Sequence, residues 1–435
     1  MPKITILGAG SHFAETFATD IMLVPELEGG ELCLVDTDPK RLRLSEGLIK
    51  KVAALLGKEG LWRVRASTDR RRVMANSDYL INSIEVAGLA NIRHEYEIPR
   101  KYGVEQCIGD TIGPGGLFKA LRTIPTWIGI LRDAERLCPD ALVLNYTNPM
   151  SMMTLAALRA SGLPVVGLCH SVQGTLRRLA RFTGVPHEEM RWRCAGINHM
   201  AWFTELSHRG KDLYPRLRKR ALHDPEIYEQ DPVRFDIMLH FGYFVTESSG
   251  HFSEYVPYYR KRKDLIRKYC RKGFGGGSGF YAGVWRGWRE RLDAKRRRQL
   301  RGAETLPTER SHEFASTIIE AAELNRPAVI HGSVFNNGLI ENLPADGVVE
   351  VACVVDRNGV RPTRHGRLPA GVAALCAANM HVFDLGVTAA LSADRDALYH
   401  AMMLDPLTAA VLAPAEIKGM TDEMIKAGRR YIPKL

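Results

Sequence analysis

The sequence predicts an α/β fold: an N-terminal Rossmann-like doubly wound parallel sheet over residues 1–190, then an α+β unit over 191–435, with the cleft between them. Two observations carry this. Up to about residue 190, short apolar runs alternate with stretches of helical spacing, the pattern of a parallel sheet covered on both faces. Beyond it, longer β-rich runs are broken by turn signals such as Asn337-Gly338 and Ala345-Asp346-Gly347.

The first run, Lys3-Ile4-Thr5-Ile6-Leu7, ends in Gly8-Ala9-Gly10-Ser11, and Phe13, Phe17, Ile21 and Met22 then fall on one helical face. A second strand, Glu31–Val35, closes on Asp36. Further strands are expected at Tyr79–Ile84, Ala141–Asn145 and Val165–Cys169. In the second half, Arg191–Leu206 reads as one extended strand, and Pro307–Leu324 and Ala370–Leu391 read as helices. Lys272–Gly279, with five glycines in its last seven residues, reads as a flexible loop.

With 45% hydrophobic and 25% charged residues, disorder and fibrous repeats are excluded. Eight cysteines without a Cys-x-x-Cys pair do not form a disulfide framework. Met1-Pro2-Lys3 leads straight into a strand, and no run of about 18 apolar residues spans a bilayer, so a cytoplasmic protein without membrane partners is expected. The net charge of +11 is local. Arg260–Arg301 holds sixteen Lys/Arg against three Asp/Glu, a surplus of +13 that leaves −2 for the rest. One basic stretch without a binding module argues against nucleic acid. Its Arg260–Lys263 run reads either as a solvated helix face or as a basic flap that draws anionic sugars to a cleft.

Gly8-x-Gly10 lies at a strand-to-helix turn, where glycine lets backbone approach a pyrophosphate and helix amides face it. Phe13 replaces the third glycine of the fingerprint. Asp36, at the end of the second strand, suits a ribose diol and favours NAD over NADP; the lesser alternative is a helix cap ahead of Pro39. Three polar stretches fall at strand ends: Asn145-Tyr146-Thr147-Asn148-Pro149, Cys169-His170-Ser171-Val172 and Asn198-His199-Met200. Cys169 and His199 are plausible metal ligands that leave positions open for substrate. Read alone, a single cysteine at a strand end is more often core.

Taken together with Gly109-Asp110-Thr111-Ile112-Gly113-Pro114-Gly115-Gly116, Leu121-Arg122-Thr123-Ile124-Pro125, Phe241-Gly242-Tyr243 and Thr246-Glu247-Ser248-Ser249, these stretches resemble the NAD- and metal-dependent family 4 glycoside hydrolases. The Cys169–Val172 segment is most similar to the melibiase-type α-galactosidase subgroup. The resemblance implies hydrolysis by a redox route, an exception to two-carboxylate glycosidases. Carbon 3 of the sugar is oxidised by NAD⁺, a base removes the proton on carbon 2, the leaving group departs from carbon 1, water adds and the hydride returns. A divalent cation, Mn²⁺ in the family's usual form, polarises the oxygens at carbons 2 and 3.

By the same resemblance Cys169 and His199 are the metal ligands, and Asp110, Arg122 and Asn148 are substrate-cleft residues. Gly8, Gly10, Ser11, Asp36 and Glu85 are assigned to the cofactor. His170 is the leaving-group acid or a sugar ligand, and His251 or Tyr255 is the carbon-2 base. A homodimer or homotetramer acting on a small sugar is implied. The rivals are an α-glucosidase or α-glucuronidase of the same family and, in another class, an NAD-dependent 2-hydroxy-acid dehydrogenase. The dehydrogenase would need an Arg clamp and a His–Asp pair, and Arg93-His94 and Asp133 lack a convincing spacing for it.

Overall fold

The computed structural model covers residues 1–435 and describes all of them apart from the side chain of Ala90. Strands β1 (Lys3–Leu7), β2 (Gly30–Val35), β3 (Trp62–Ser67), β4 (Tyr79–Asn82), β5 (Leu142–Asn145) and β6 (Val165–Gly167) pair in parallel in the order β3-β2-β1-β4-β5-β6. The winding reverses between β1 and β4, and in such sheets ligands bind beyond the strands' carboxyl ends at that reversal. Every residue of β4 and β5 is buried, as strands covered on both faces require. The expected strands are present, but two end early, at Asn82 and Gly167, because the residues that follow leave the ladder to form cavity-facing turns. Strand β3 escaped the sequence reading: Arg63 and Arg65 interrupt its apolar pattern at the sheet edge.

The second half extends the same sheet. β7 (Met190–Ile197), β8 (Met200–His208), β9 (Lys211–Asp212), β10 (Phe244–Val245), β11 (Ala328–Phe335), β12 (Val348–Asp356) and β13 (Gly359–Pro362) add to it, with β11 antiparallel to β6 through Ser333 and Gly167. Onward from β6 the order is β11-β12-β7-β8-β10, and β9 and β13 pair with β8 and β12. The expected single strand Arg191–Leu206 is instead the β7–β8 hairpin. Its turn, Asn198-His199, lacks the glycine that marks tight hairpins, and His199 itself takes the left-handed conformation at φ +65°.

Two further expectations need correction. The helix expected from Pro307 begins at Phe314, because Ser311 hydrogen-bonds Asp20 through both its amide and its hydroxyl and holds the preceding segment off the helix. The helix expected at Ala370–Leu391 runs over Ala370–Ser392; it is long and apolar enough to cross a bilayer by length and composition, although Asn379, His381 and Asp384 interrupt its apolar run, and half of that window is buried in the fold. The glycine-rich loop is not slack chain. A Cβ on Gly250 would lie 2.2 Å from the Phe274 carbonyl, and Gly279 donates its amide to Gln106 at 2.8 Å, so the loop is packed where side chains have no room.

The basic run is likewise no flap at Arg260, whose buried guanidinium donates to the Gly276 carbonyl at 2.9 Å and to Ser253 Oγ at 3.2 Å.

The long helix Gly113–Leu137 begins against Asp405, a fully buried carboxyl that caps the helix Pro406–Val411 by accepting from the Thr408 amide at 2.8 Å. Burial pushes its pKa up to about 6. The folded state therefore binds this proton more tightly than the unfolded chain, and stability falls as pH rises from about 4 to about 6, by up to about 3 kcal/mol. Asp405→Asn, which keeps the capping acceptor, is expected to flatten that limb of the curve in urea unfolding measured between pH 4 and 7.

Candidate active site

The carboxyl ends of β1, β2, β4, β5 and β6 open into one cavity of about 740 Å³. At one end is the glycine turn. Gly8 has φ +80°, and a Cβ there would lie 2.4 Å from the Ser83 carbonyl, so only glycine lets β1 and β4 come together. Ser11 Oγ is buried without a hydrogen-bond partner and lines the cavity, a polar atom that waits for a ligand. Asp36 accepts the Gly10 amide at 2.7 Å and the Asp38 amide at 2.8 Å and also lines the cavity. The helix is capped by Asp38, not Asp36, so the carboxylate is left for the ligand side. These features fit a dinucleotide.

Also on the cavity wall, Cys169 Sγ lies 3.5 Å from His199 Nε2, which lies 3.4 Å from Glu247 Oε2; all three donor atoms fall within 4.8 Å of one another. Metal–ligand bonds of about 2.0–2.3 Å put neighbouring donors about 3–4 Å apart. The trio fits a cation. A thiolate, an imidazole and a carboxylate together suit a first-row transition ion better than Ca²⁺ or Mg²⁺. His199 and Glu247 both have left-handed backbone, at φ +65° and +74°. Such conformations cost of order 1–3 kcal/mol each and gather at functional sites. Glu247 was not assigned a role from the sequence. Its neighbour Thr246, which donates no ligand but accepts the Ala201 amide at 3.0 Å, ties the strip to the β7–β8 hairpin and so brings Glu247 to His199.

Burial raises the Cys169 thiol, aided by the charges of Glu247 and Glu350, and burial lowers His199 to about 4. Both groups are then neutral at pH 7 before a cation arrives. Tyr255 presents its hydroxyl to His199 Nδ1 at 3.4 Å, on the ring edge away from the trio, and so orients the imidazole.

Beside the trio, His251 Nε2 is 2.7 Å from Thr111 Oγ1 and 3.5 Å from Asp110 Oδ1, and its Nδ1 is 3.8 Å from Glu247. Burial opposes its charge, but the two carboxylates prevail and lift it to about 10. Asn148 Nδ2 donates to Asp110 Oδ2 at 3.2 Å. Beside them on the cavity wall lies Lys119, another residue the sequence reading missed, whose buried Nζ is 3.4 Å from Asp110 and 3.0 Å from Glu85. Arg122 does not reach into the main cavity: its guanidinium holds Glu95, Glu85 at 3.2 Å and the Val86 carbonyl at 2.8 Å. His170 lines the cavity with its side chain 66% exposed, and its Nδ1 lies 3.4 Å from Glu313, which raises its pKa. Arg93 and Asp133 lie apart from the site, in ion pairs with Glu97 and with Arg70, Arg71 and Arg136.

The sequence profile of the family 4 glycosyl hydrolases matches residues 3–185, and that of the family 4 C-terminal domain matches residues 194–408. An α-galactosidase of Bacillus subtilis is 39% identical, with all of both chains covered. One from Rhizobium meliloti is 37% identical, over 99% of this chain and 89% of that protein. Among solved structures, a 6-phospho-alpha-glucosidase from gut microorganisms, in complex with NAD and Mn²⁺, superposes with a TM-score of 0.83 at 21% identity, covering 100% of this chain and 99% of its own.

Proposed function

The chain belongs to family 4 of the glycosyl hydrolases, and from that premise we propose that it hydrolyses α-galactosides with NAD⁺ and a divalent cation, Mn²⁺, as cofactors. The one observation that carries the reading is that the glycine turn with Asp36 and the Cys169–His199–Glu247 trio open into the same cavity. The two α-galactosidase relatives support the choice of sugar, and the NAD and Mn²⁺ held by the structural neighbour support the cofactors.

Gly8, Gly10, Ser11 and Asp36 would hold the dinucleotide, and Cys169, His199 and Glu247 the cation. When bound, NAD⁺ supplies a hydride acceptor for carbon 3, and the cation supplies a Lewis acid for the oxygens at carbons 2 and 3. Asn148 and Asp110 bind and orient the sugar hydroxyls, with Lys119 fixing Asp110 through their ion pair. His251, on the cavity wall, is lifted to about 10 and so holds a proton at neutral pH; it is placed to donate to the sugar rather than to take the carbon-2 proton, while Tyr255 steadies His199. His170 stands at an open part of the wall, where a leaving group can depart, and its pairing with Glu313 keeps it supplied with a proton to donate.

A panel of nitrophenyl α- and β-glycosides assayed with NAD⁺, Mn²⁺ and a thiol tests the proposal. Hydrolysis of the α-galactoside is expected, without net consumption of NAD⁺. Preference for an α-glucoside or α-glucuronide would replace the sugar assignment. In deuterated water the released galactose should carry deuterium at carbon 2, and product without it would refute the elimination route.

A further inference from the structure

The basic stretch Arg260–Arg301 ends in the helix Phe280–Arg301, which lies along the dinucleotide end of the cavity and lines it with Trp285 and Trp288. One arginine of this helix is not solvated. Arg296 is 3% exposed. Its Nη1 donates to the Gly10 carbonyl at 3.0 Å and to Asp293 at 3.2 Å; its Nη2 donates to Glu15 at 2.5 Å and to Ser45 Oγ at 2.6 Å. Ser45 in turn donates to the Ala9 carbonyl, and Arg41 Nε reaches the Gly10 carbonyl at 2.9 Å. Two consecutive carbonyls of the glycine turn are thus held by side chains, one of them by a residue 286 positions on.

A buried guanidinium needs a carboxylate, which Glu15 provides, and burial lifts Glu15 to about 7 even with Arg296 beside it. The planar fork lets one guanidinium reach Glu15, Ser45 and Gly10 together.

Resting on the reading that the crevice takes a dinucleotide, we propose that Arg296 is a positioning residue for that cofactor. It fixes the Ala9 and Gly10 peptides so that the start of the helix Phe13–Met22 and Ser11 face the pyrophosphate. It also fastens the helix carrying Trp285 and Trp288 beside the crevice, so that cofactor binding and helix docking share one equilibrium.

The test is a titration of the full-length protein with NAD⁺, followed by tryptophan fluorescence, alongside a separate Mn²⁺ titration. Wild-type fluorescence should be quenched to saturation. Arg296→Lys keeps the charge opposite Glu15 but loses the fork; its Kd for NAD⁺ should rise about tenfold or more, the range of a charge-assisted hydrogen bond, with Mn²⁺ affinity unchanged. Glu15→Gln loosens the guanidinium's anchor and should move the NAD⁺ Kd in the same direction. An unchanged NAD⁺ Kd in Arg296→Lys overturns the proposal, as does a parallel loss of Mn²⁺ affinity, which marks general damage to the fold. Should Arg296→Lys not fold, an unchanged Kd in Glu15→Gln overturns it and a raised one supports it. Absence of quenching in the wild-type protein overturns this proposal and the dinucleotide reading together.

Discussion

Replacing Cys169 with serine is expected to abolish turnover at ordinary Mn²⁺ concentrations while NAD⁺ binding stays intact. The sulfur is one of three donors within 4.8 Å, and a serine hydroxyl neither ionises near neutrality nor matches a thiolate as a ligand. Residues that merely orient a ligand cost about 10–100-fold in metal affinity when changed, so loss of a ligand itself should raise the Mn²⁺ Kd beyond about 100-fold, with kcat/KM falling at least as far. Glu247→Gln should act in the same direction, since it removes the carboxylate charge that lies 3.4 Å from His199. Equilibrium dialysis of Mn²⁺ beside an NAD⁺ titration separates the two ends of the cavity. A serine variant that binds Mn²⁺ like the wild type would remove the metal role from Cys169.

The parts of the site that were legible in the sequence are those whose chemistry is tied to local pattern. Gly8 and Asp36 stand at strand ends, where the run of apolar residues stops, and the β1–turn–helix unit follows from spacing alone. Cys169 and His199 could be named but not joined by pattern, since their meeting depends on a hairpin whose turn has no glycine. Glu247 was hidden for a related reason. Its left-handed backbone has no signature in a Thr-Glu-Ser-Ser string, and a glutamate one residue before a helix cap reads as exposed. The available clue was its spacing of four from His251, within a strip already marked for chemistry. Arg260 and Arg296 were obscured by their neighbours, because a run of cations reads as a solvated face and burial of single members depends on Glu105, Ser253 and Glu15, all distant in sequence or unremarkable in type. Lys119 was the easier miss to avoid: it stands alone among Leu117, Phe118, Ala120 and Leu121, and a lone cation in a buried helical stretch needs a carboxylate partner.

Lys119→Met is expected to destabilise the protein by about 3–5 kcal/mol, the cost of removing one partner from a buried ion pair. Burial works against the Lys119 charge, and Glu85 and Asp110 outweigh it. Asp110 in turn is held below the ordinary carboxylate range against its own burial, first by Lys119 and then by His251. Arg122 still pairs Glu85 in the variant, so the uncompensated charge falls on Asp110. In the wild type this pairing stabilises the fold at all pH values above the ordinary carboxyl pKa, and the contribution is lost as pH falls through the depressed one. The stability gap between the two proteins should therefore be widest near pH 7 and narrow in acid, as urea unfolding at the two pH values would show. Adding Asp110→Asn to Lys119→Met should recover much of the loss, because the amide needs no countercharge. Activity should not return with it: Asp110 also receives Asn148 at 3.2 Å, and displacing the two groups proposed to bind the sugar is expected to raise KM and lower kcat together. A Lys119→Met protein as stable as the wild type would mean that His251 alone suffices to hold Asp110 ionised.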